Sequence, residues 1–144
     1  MKIVLACDHG GYKLKESVKG LLAELELCFE DYGVFDETPA DYPEIAARAC
    51  AAIKDGRFAR GIIICGTGVG VSIAANRLKG IKAALCGDEF SARMSREHND
   101  ANVLCLGGRV IGPGLASLIT KSWLEAEFAG GRHARRVAMI DKND

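Results

Sequence analysis

Five short runs of apolar residues punctuate the chain, and between them the apolar positions return at helical spacing. The runs at 2–7, 28–32, 62–65, 81–86 and 103–106 are rich in Ile, Val, Leu and Cys and end at glycine or polar loops, which predicts five strands. The run Ile62-Ile63-Ile64-Cys65 is unbroken and mostly β-branched, as in a strand covered on both faces. Residues 12–26 carry Leu14, Val18, Leu21, Leu22 and Leu25 as one helical stripe. Asp41 is placed to cap a second helix reaching about Lys54, with Pro43 in its first turn, Glu44 three residues on and Ile45, Ala49 and Ile53 inward. A small-residue helix follows at 71–76, a short one at 90–98, and a longer one at 115–128 with Leu118, Ile119 and Trp123 as core candidates. After Gly130-Gly131 a short basic helix covers 132–140. Strand and helix alternate throughout, which implies βαβ units, a five-stranded parallel sheet and one α/β domain over 1–144.

Composition narrows the class. Hydrophobic residues make up 49%, enough for a packed core, and Lys plus Arg equals Asp plus Glu at 19 each. That neutral balance gives no global field for nucleic acid or an anionic membrane surface. No apolar run reaches the length of a membrane span, and the apolar stretch at the N-terminus is too short for a signal peptide and reads as a strand. The six cysteines, Cys7, Cys28, Cys50, Cys65, Cys86 and Cys105, form no C-x-x-C pair and mostly sit inside apolar runs. They read as reduced thiols of a cytoplasmic protein, five of them as small core side chains.

In a parallel α/β sheet, ligands sit beyond the carboxyl ends of the strands. The polar residues expected there are Asp8, His9, Cys65, Thr67, Asp88 and Arg109. The third strand runs directly into Gly66-Thr67-Gly68-Val69-Gly70 and then a helix start. Three glycines in five residues permit positive φ and close approach of a ligand, and the helix start offers free N–H groups to an anion. The plainer reading is a tight strand–helix turn. The dinucleotide fingerprint asks for a glycine where Val71 stands and belongs after the first strand; a Walker A tripeptide is absent. Cys65, just ahead of the helix start, has reason to ionise and act as a general base, or is a further buried thiol. His98 is either a proton shuttle or a surface histidine held by a helix dipole, and Asn99 beside it offers an amide donor and acceptor. Arg132 and Arg136 are four apart on one helix face and, with Arg109, form either a phosphate clamp or a solvated basic surface.

Five blocks in order along the chain resemble one family. They are Cys7-Asp8-His9-Gly10-Gly11, Asp41-Tyr42-Pro43, the segment Cys65-Gly66-Thr67-Gly68-Val69-Gly70-Val71-Ser72-Ile73-Ala74-Ala75-Asn76, the segment 95–103 around His98, and Gly130-Gly131-Arg132-His133-Ala134-Arg135-Arg136. Together they are similar to the type B ribose-5-phosphate isomerases, a family that also includes the galactose-6-phosphate isomerase subunits. The resemblance implies a Rossmann-like α/β/α sandwich that forms homodimers, often homotetramers, with no metal or organic cofactor. It implies aldose–ketose isomerisation through a cis-enediol. Cys65 matches the catalytic base; some members carry Ser there and a Glu where this chain has Ser72, so the thiol version is implied here. His98 matches the residue that opens the sugar ring, donated by the neighbouring subunit. Asp8, His9, Gly66, Thr67, Gly68, Val69, Gly70 and Asn99 match substrate-binding positions, Tyr42 a residue lining the sugar pocket, and Arg109, Arg132 and Arg136 the phosphate contacts. Thr67 is also placed to pass a proton between the two sugar oxygens. Ribose 5-phosphate is the expected substrate, because one chain carries both Cys65 and His98; allose 6-phosphate or galactose 6-phosphate is the rival. A sugar-phosphate-binding module without catalysis is the rival of another class, and it would have no need of the thiol or of His98.

Overall fold

The structure is a computed structural model and describes residues 1–142. The strands are β1 (Lys2–Cys7), β2 (Cys28–Asp31), β3 (Arg60–Cys65), β4 (Ala83–Leu85) and β5 (Val103–Gly107). The helices are α1 (Tyr12–Glu24), α2 (Tyr42–Lys54), α3 (Val69–Ala75), α4 (Glu89–Glu97), α5 (Pro113–Glu125) and α6 (Arg132–Asp141), with one 3-10 turn at His9–Gly11. All strand pairs are parallel, in the order β2-β1-β3-β5-β4. The expected five-stranded α/β/α sandwich is what the chain forms.

Alternating residues of the central strands feed two cores. Val4, Ala6, Ile63, Cys65, Val103 and Cys105 face α2 and α3. Ile3, Leu5, Ile62, Ile64, Leu104 and Leu106 face α1, α4 and α5, where Trp123 is fully buried. Both faces are covered, so β1, β3 and β5 read as continuous apolar runs in sequence. β2, at the sheet edge, alternates exposed and half-buried positions, and Cys28 on it is exposed rather than part of a core. The other five thiols are buried and all six are free. Burial pushes Cys7 and Cys50 up to about 12 and Cys86 to about 11, so these stay neutral thiols at physiological pH.

Some sequence expectations shift at the edges of elements. α5 buries Ala116, Ile119, Thr120 and Trp123, a stripe at three- and four-residue steps, which turns Leu118 outward at 49% exposure. β4 starts at Ala83 because Ile81 and Lys82 are held as loop: the Asn102 side chain accepts from Lys82 N–H and donates to the Gly80 carbonyl. Asp41 sits at the N-cap of α2 without a capping hydrogen bond.

One buried ion pair ties α1 to the sheet. Lys15 is fully buried, and its Nζ lies 2.6 Å from Asp31 Oδ2; Asp31 also accepts from Gly33 N–H and lies 3.2 Å from Lys19 Nζ. Burial pushes the Asp31 carboxyl up, but the Lys15 and Gly33 hydrogen bonds and the lysine charges outweigh it and hold the group below the usual carboxylate range. A lowered folded-state pKa contributes stability at neutral pH, which is lost as pH falls from about 4 through that lowered value. Asp31→Asn leaves the buried ammonium with only the partly exposed Glu16 carboxylate, 3.2 Å away, as counter-charge. We expect urea unfolding at pH 7 to show a loss of about 3 kcal/mol, and a flatter stability profile in acid.

Candidate active site

α1 packs on one face of the sheet and α3 on the other, so the chain parts at the carboxyl ends of β1 and β3. This is the switch point where such sheets bind ligands. Three loops meet there in backbone contact. Asp8 N–H donates to the Ile64 carbonyl, Gly108 N–H to the Cys65 carbonyl and Arg109 N–H to the Gly66 carbonyl, at 3.1, 2.8 and 2.9 Å. A Cβ on Gly108 would fall 2.6 Å from the Gly10 carbonyl oxygen, so any side chain there would force the loops after β1 and β5 apart.

Cys65 is the last residue of β3 and 4% exposed. Its Sγ accepts the N–H of Gly68 at 3.1 Å. Gly68 takes φ 78°, a left-handed conformation that turns the chain from β3 into α3 and brings its N–H back onto the sulfur. The first helical bond of α3 runs from Ser72 N–H to the Gly68 carbonyl, so the N–H groups before it have no helical acceptor. Two of those the sequence offered to a ligand are committed locally: Gly68 to Sγ, and Val69 to Thr67 Oγ1 at 3.2 Å. The Tyr42 ring covers Gly70, coming within 2.8 Å of where a Cβ would stand.

The loop after β1 adds two groups. Asp8 is buried, and its Oδ1 accepts Gly11 N–H at 3.2 Å, fixing the 3-10 turn. His9 Nδ1 accepts Ala40 N–H at 3.1 Å, which makes Nε2 the donor of the neutral ring. His9, Gly10, Lys13, Glu37, Gly108 and Arg109 line a cavity of about 180 Å³ beside Gly66. Lys13 and Glu37 were not singled out in sequence; they pair at 3.4 Å across the mouth. A charged residue on an exposed helix face or polar loop is commonplace, so nothing in the sequence marks them. Asp88 takes another role: its carboxylate accepts from the backbone and hydroxyl of Ser91 and caps α4, outside this group.

The remaining predicted residues lie at the opposite edge. α4 leads back across the sheet to the start of β5, so His98 and Asn99 stand at the amino ends of the strands, where Asn102 accepts from Gly61 N–H at the start of β3. Ala129 N–H donates to the Glu97 carbonyl, which docks the α5–α6 connection there and starts α6 beside His98. Arg132 and Arg136 therefore belong to this edge. β5 alone spans roughly 13 Å. The predicted residues thus fall into two groups: Cys65, the glycine loop, Asp8, His9, Tyr42 and Arg109 at the carboxyl edge, and His98, Asn99, Arg132 and Arg136 at the amino edge. Among the described residues no helix is long and apolar enough to cross a membrane.

A doubly wound parallel sheet with a thiol and a glycine loop at its switch point defines a Rossmann-like α/β protein. Comparison with known proteins narrows this class. The chain belongs to the ribose/galactose isomerase family, which it matches over residues 3–140. It is 45% identical over 139 residues to the ribose-5-phosphate isomerase B of Escherichia coli, covering 96% of this chain and 93% of that one. It is 43% identical over 142 residues to the D-erythrulose-4-phosphate isomerase of Pectobacterium atrosepticum, covering 97% and 93%. The solved ribose-5-phosphate isomerase B of Clostridium thermocellum superposes with a TM-score of 0.98 at 50% identity, covering 99% of this chain and 97% of that one.

Proposed function

We propose that this protein interconverts ribose 5-phosphate and ribulose 5-phosphate through a cis-enediolate, as a homodimer or a tetramer built from such dimers. The observation that carries the reading is the sulfur of Cys65, held at the end of the central strand by the Gly68 N–H. With the sulfur anchored there, its thiolate is the base that takes the C2 proton of the open aldose. The C2–H electron pair forms the C1–C2 double bond, and the carbonyl electrons move onto O1. Backbone N–H groups of the Gly66–Gly70 segment other than those of Gly68 and Val69 meet that charge; one such donor is typically worth ~3 kcal/mol of barrier. Thr67 moves a proton between O1 and O2, and the thiol returns its proton at C1.

Ribose 5-phosphate is mostly a ring, so the aldehyde must first be freed. His98 of a second subunit takes the proton of the anomeric hydroxyl and returns one to the ring oxygen. The separation of Cys65 and His98 to opposite sheet edges supports a site shared between two copies. Arg109, Arg132 and Arg136 hold the phosphate in this reading, Asp8, His9, Tyr42 and Asn99 hold the sugar, and no cofactor takes part. Free cysteines throughout fit a cytoplasmic enzyme.

The test is incubation of the purified protein with ribose 5-phosphate, with and without chelator, while ketose is followed. Allose 6-phosphate, galactose 6-phosphate and erythrulose 4-phosphate run in parallel, the last a ketose whose loss to the aldose is followed instead, because a relative of comparable identity carries that name. The highest kcat/KM is expected on ribose 5-phosphate, unchanged by chelator. A higher value on another sugar replaces the substrate, and binding without turnover of any of them leaves a non-catalytic module.

A further inference from the structure

His133 is the one histidine to which neither the sequence nor the proposed chemistry gives a task. The structure puts it on His98. The two imidazole rings lie 4.1 Å apart between centroids and 10° from parallel. This contact is built by the backbone around it. Ala129 N–H donates to the Glu97 carbonyl at 3.0 Å and fixes the α5–α6 connection to the end of α4. Gly130 and Gly131, both at positive φ, then reverse the chain so that α6 starts at Arg132, and His133 N–H donates to the Gly130 carbonyl at 3.0 Å. His133 is thus seated from two sides before any ligand arrives.

We propose that His133 is the positioning residue of the ring-opening histidine: its ring, flat against His98, fixes the plane of that imidazole and gives it a π-face when it carries a proton. The inference rests on the proposed ring-opening role of His98. A relay that takes a proton from one sugar oxygen and returns it to another needs its ring in one orientation, since both transfers demand hydrogen-bond reach. His98 is the C-cap of α4, at the start of the turn that follows, and no hydrogen bond from another side chain orients it among the described contacts. The stack supplies that orientation. It also asks that His133 itself stay uncharged, because two stacked imidazolium ions repel. Partial burial, then the charges of His98, Arg132 and Arg136, hold His133 below the usual histidine range, which suits the neutral partner of the pair. A neutral aromatic face against a transient imidazolium is a cation–π contact.

The test uses the full-length enzyme and four variants: His133→Ala, His133→Phe, His98→Asn and the double variant His98→Asn/His133→Ala. Circular dichroism and thermal melts accompany the kinetics, and the His133→Phe variant keeps a ring against His98 where Ala leaves a gap. On ribose 5-phosphate, His133→Ala is expected to lower kcat roughly 10-fold with KM within about twofold, as for a displaced rather than a missing group. His133→Phe recovers most of that loss. In the His98→Asn background, His133→Ala adds nothing further, because both act on one step. Wild-type kcat in His133→Ala, a Phe variant no better than Ala, or fully additive losses each overturn the inference. Unimpaired turnover in His98→Asn would instead remove the ring-opening reading on which it rests, so the two failures are told apart.

Discussion

Cys65→Ala is expected to lower kcat on ribose 5-phosphate by ~1,000-fold or more while the protein still binds the sugar phosphate. General acid–base groups contribute typically 10²–10⁴-fold, and here the base is asked to break a C–H bond. The fold should survive the change. Cys65 packs against Val71 and the neighbouring strands, and removing one buried sulfur costs less than deleting a branched side chain. The Gly68 N–H loses its acceptor, a further ~1–3 kcal/mol at most. Melting temperature and phosphate-dependent binding therefore stay measurable, and the loss is read on kcat. Cys65→Ser separates ionisation from the local hydrogen bond: it keeps an acceptor for Gly68 but has no accessible anion, and Ser72, whose hydroxyl is spent on the Val69 carbonyl, offers no carboxylate in its place. Near-normal turnover in either variant would remove the sulfur from the chemistry.

The parts of the molecule that were legible in sequence are those set by local rules. Strands covered on both faces announce themselves as unbroken β-branched runs, and glycines mark where they stop, so the sheet and the crevice at Cys65 followed from pattern. The misses have local causes too. Leu118 is apolar but one residue off the buried stripe of α5, and Cys28 lies on an edge strand, where apolar residues need not be covered. Asp88 looked like a member of the crevice because it follows a strand; as the cap of α4 its carboxylate is already occupied. What no periodicity encodes is contact between elements distant in the chain. The His98–His133 stack joins residues 35 apart through a glycine reversal whose geometry is absent from the residue letters. Likewise the division of the candidate residues between two sheet edges follows from counting crossovers, and is invisible in any single motif.

That division leads to a result that depends on no single residue. If the sulfur of one subunit works with the imidazole of another, inactive variants must rescue each other. Take a dimer with one Cys65→Ala subunit and one His98→Asn subunit. The site that uses Cys65 of the second and His98 of the first is intact; the other lacks both groups. Statistical mixing makes about half of the dimers mixed, each with one good site of two, so the mixture should recover about a quarter of the wild-type turnover from two nearly inert preparations. If both groups served within one chain, every mixed dimer would hold two damaged sites and mixing would restore nothing. Co-expression of the two variants under separate affinity tags, with the doubly tagged species isolated, sharpens the expectation to about half of wild type. On the shared-site reading, a two-fold axis between copies would turn the amino edge of one sheet, with Arg132, Arg136 and the His98–His133 pair, toward the carboxyl edge of the other. Absence of rescue in the doubly tagged dimer would place His98 outside the partner's site and break the shared-site reading, whatever the activity of the wild-type protein.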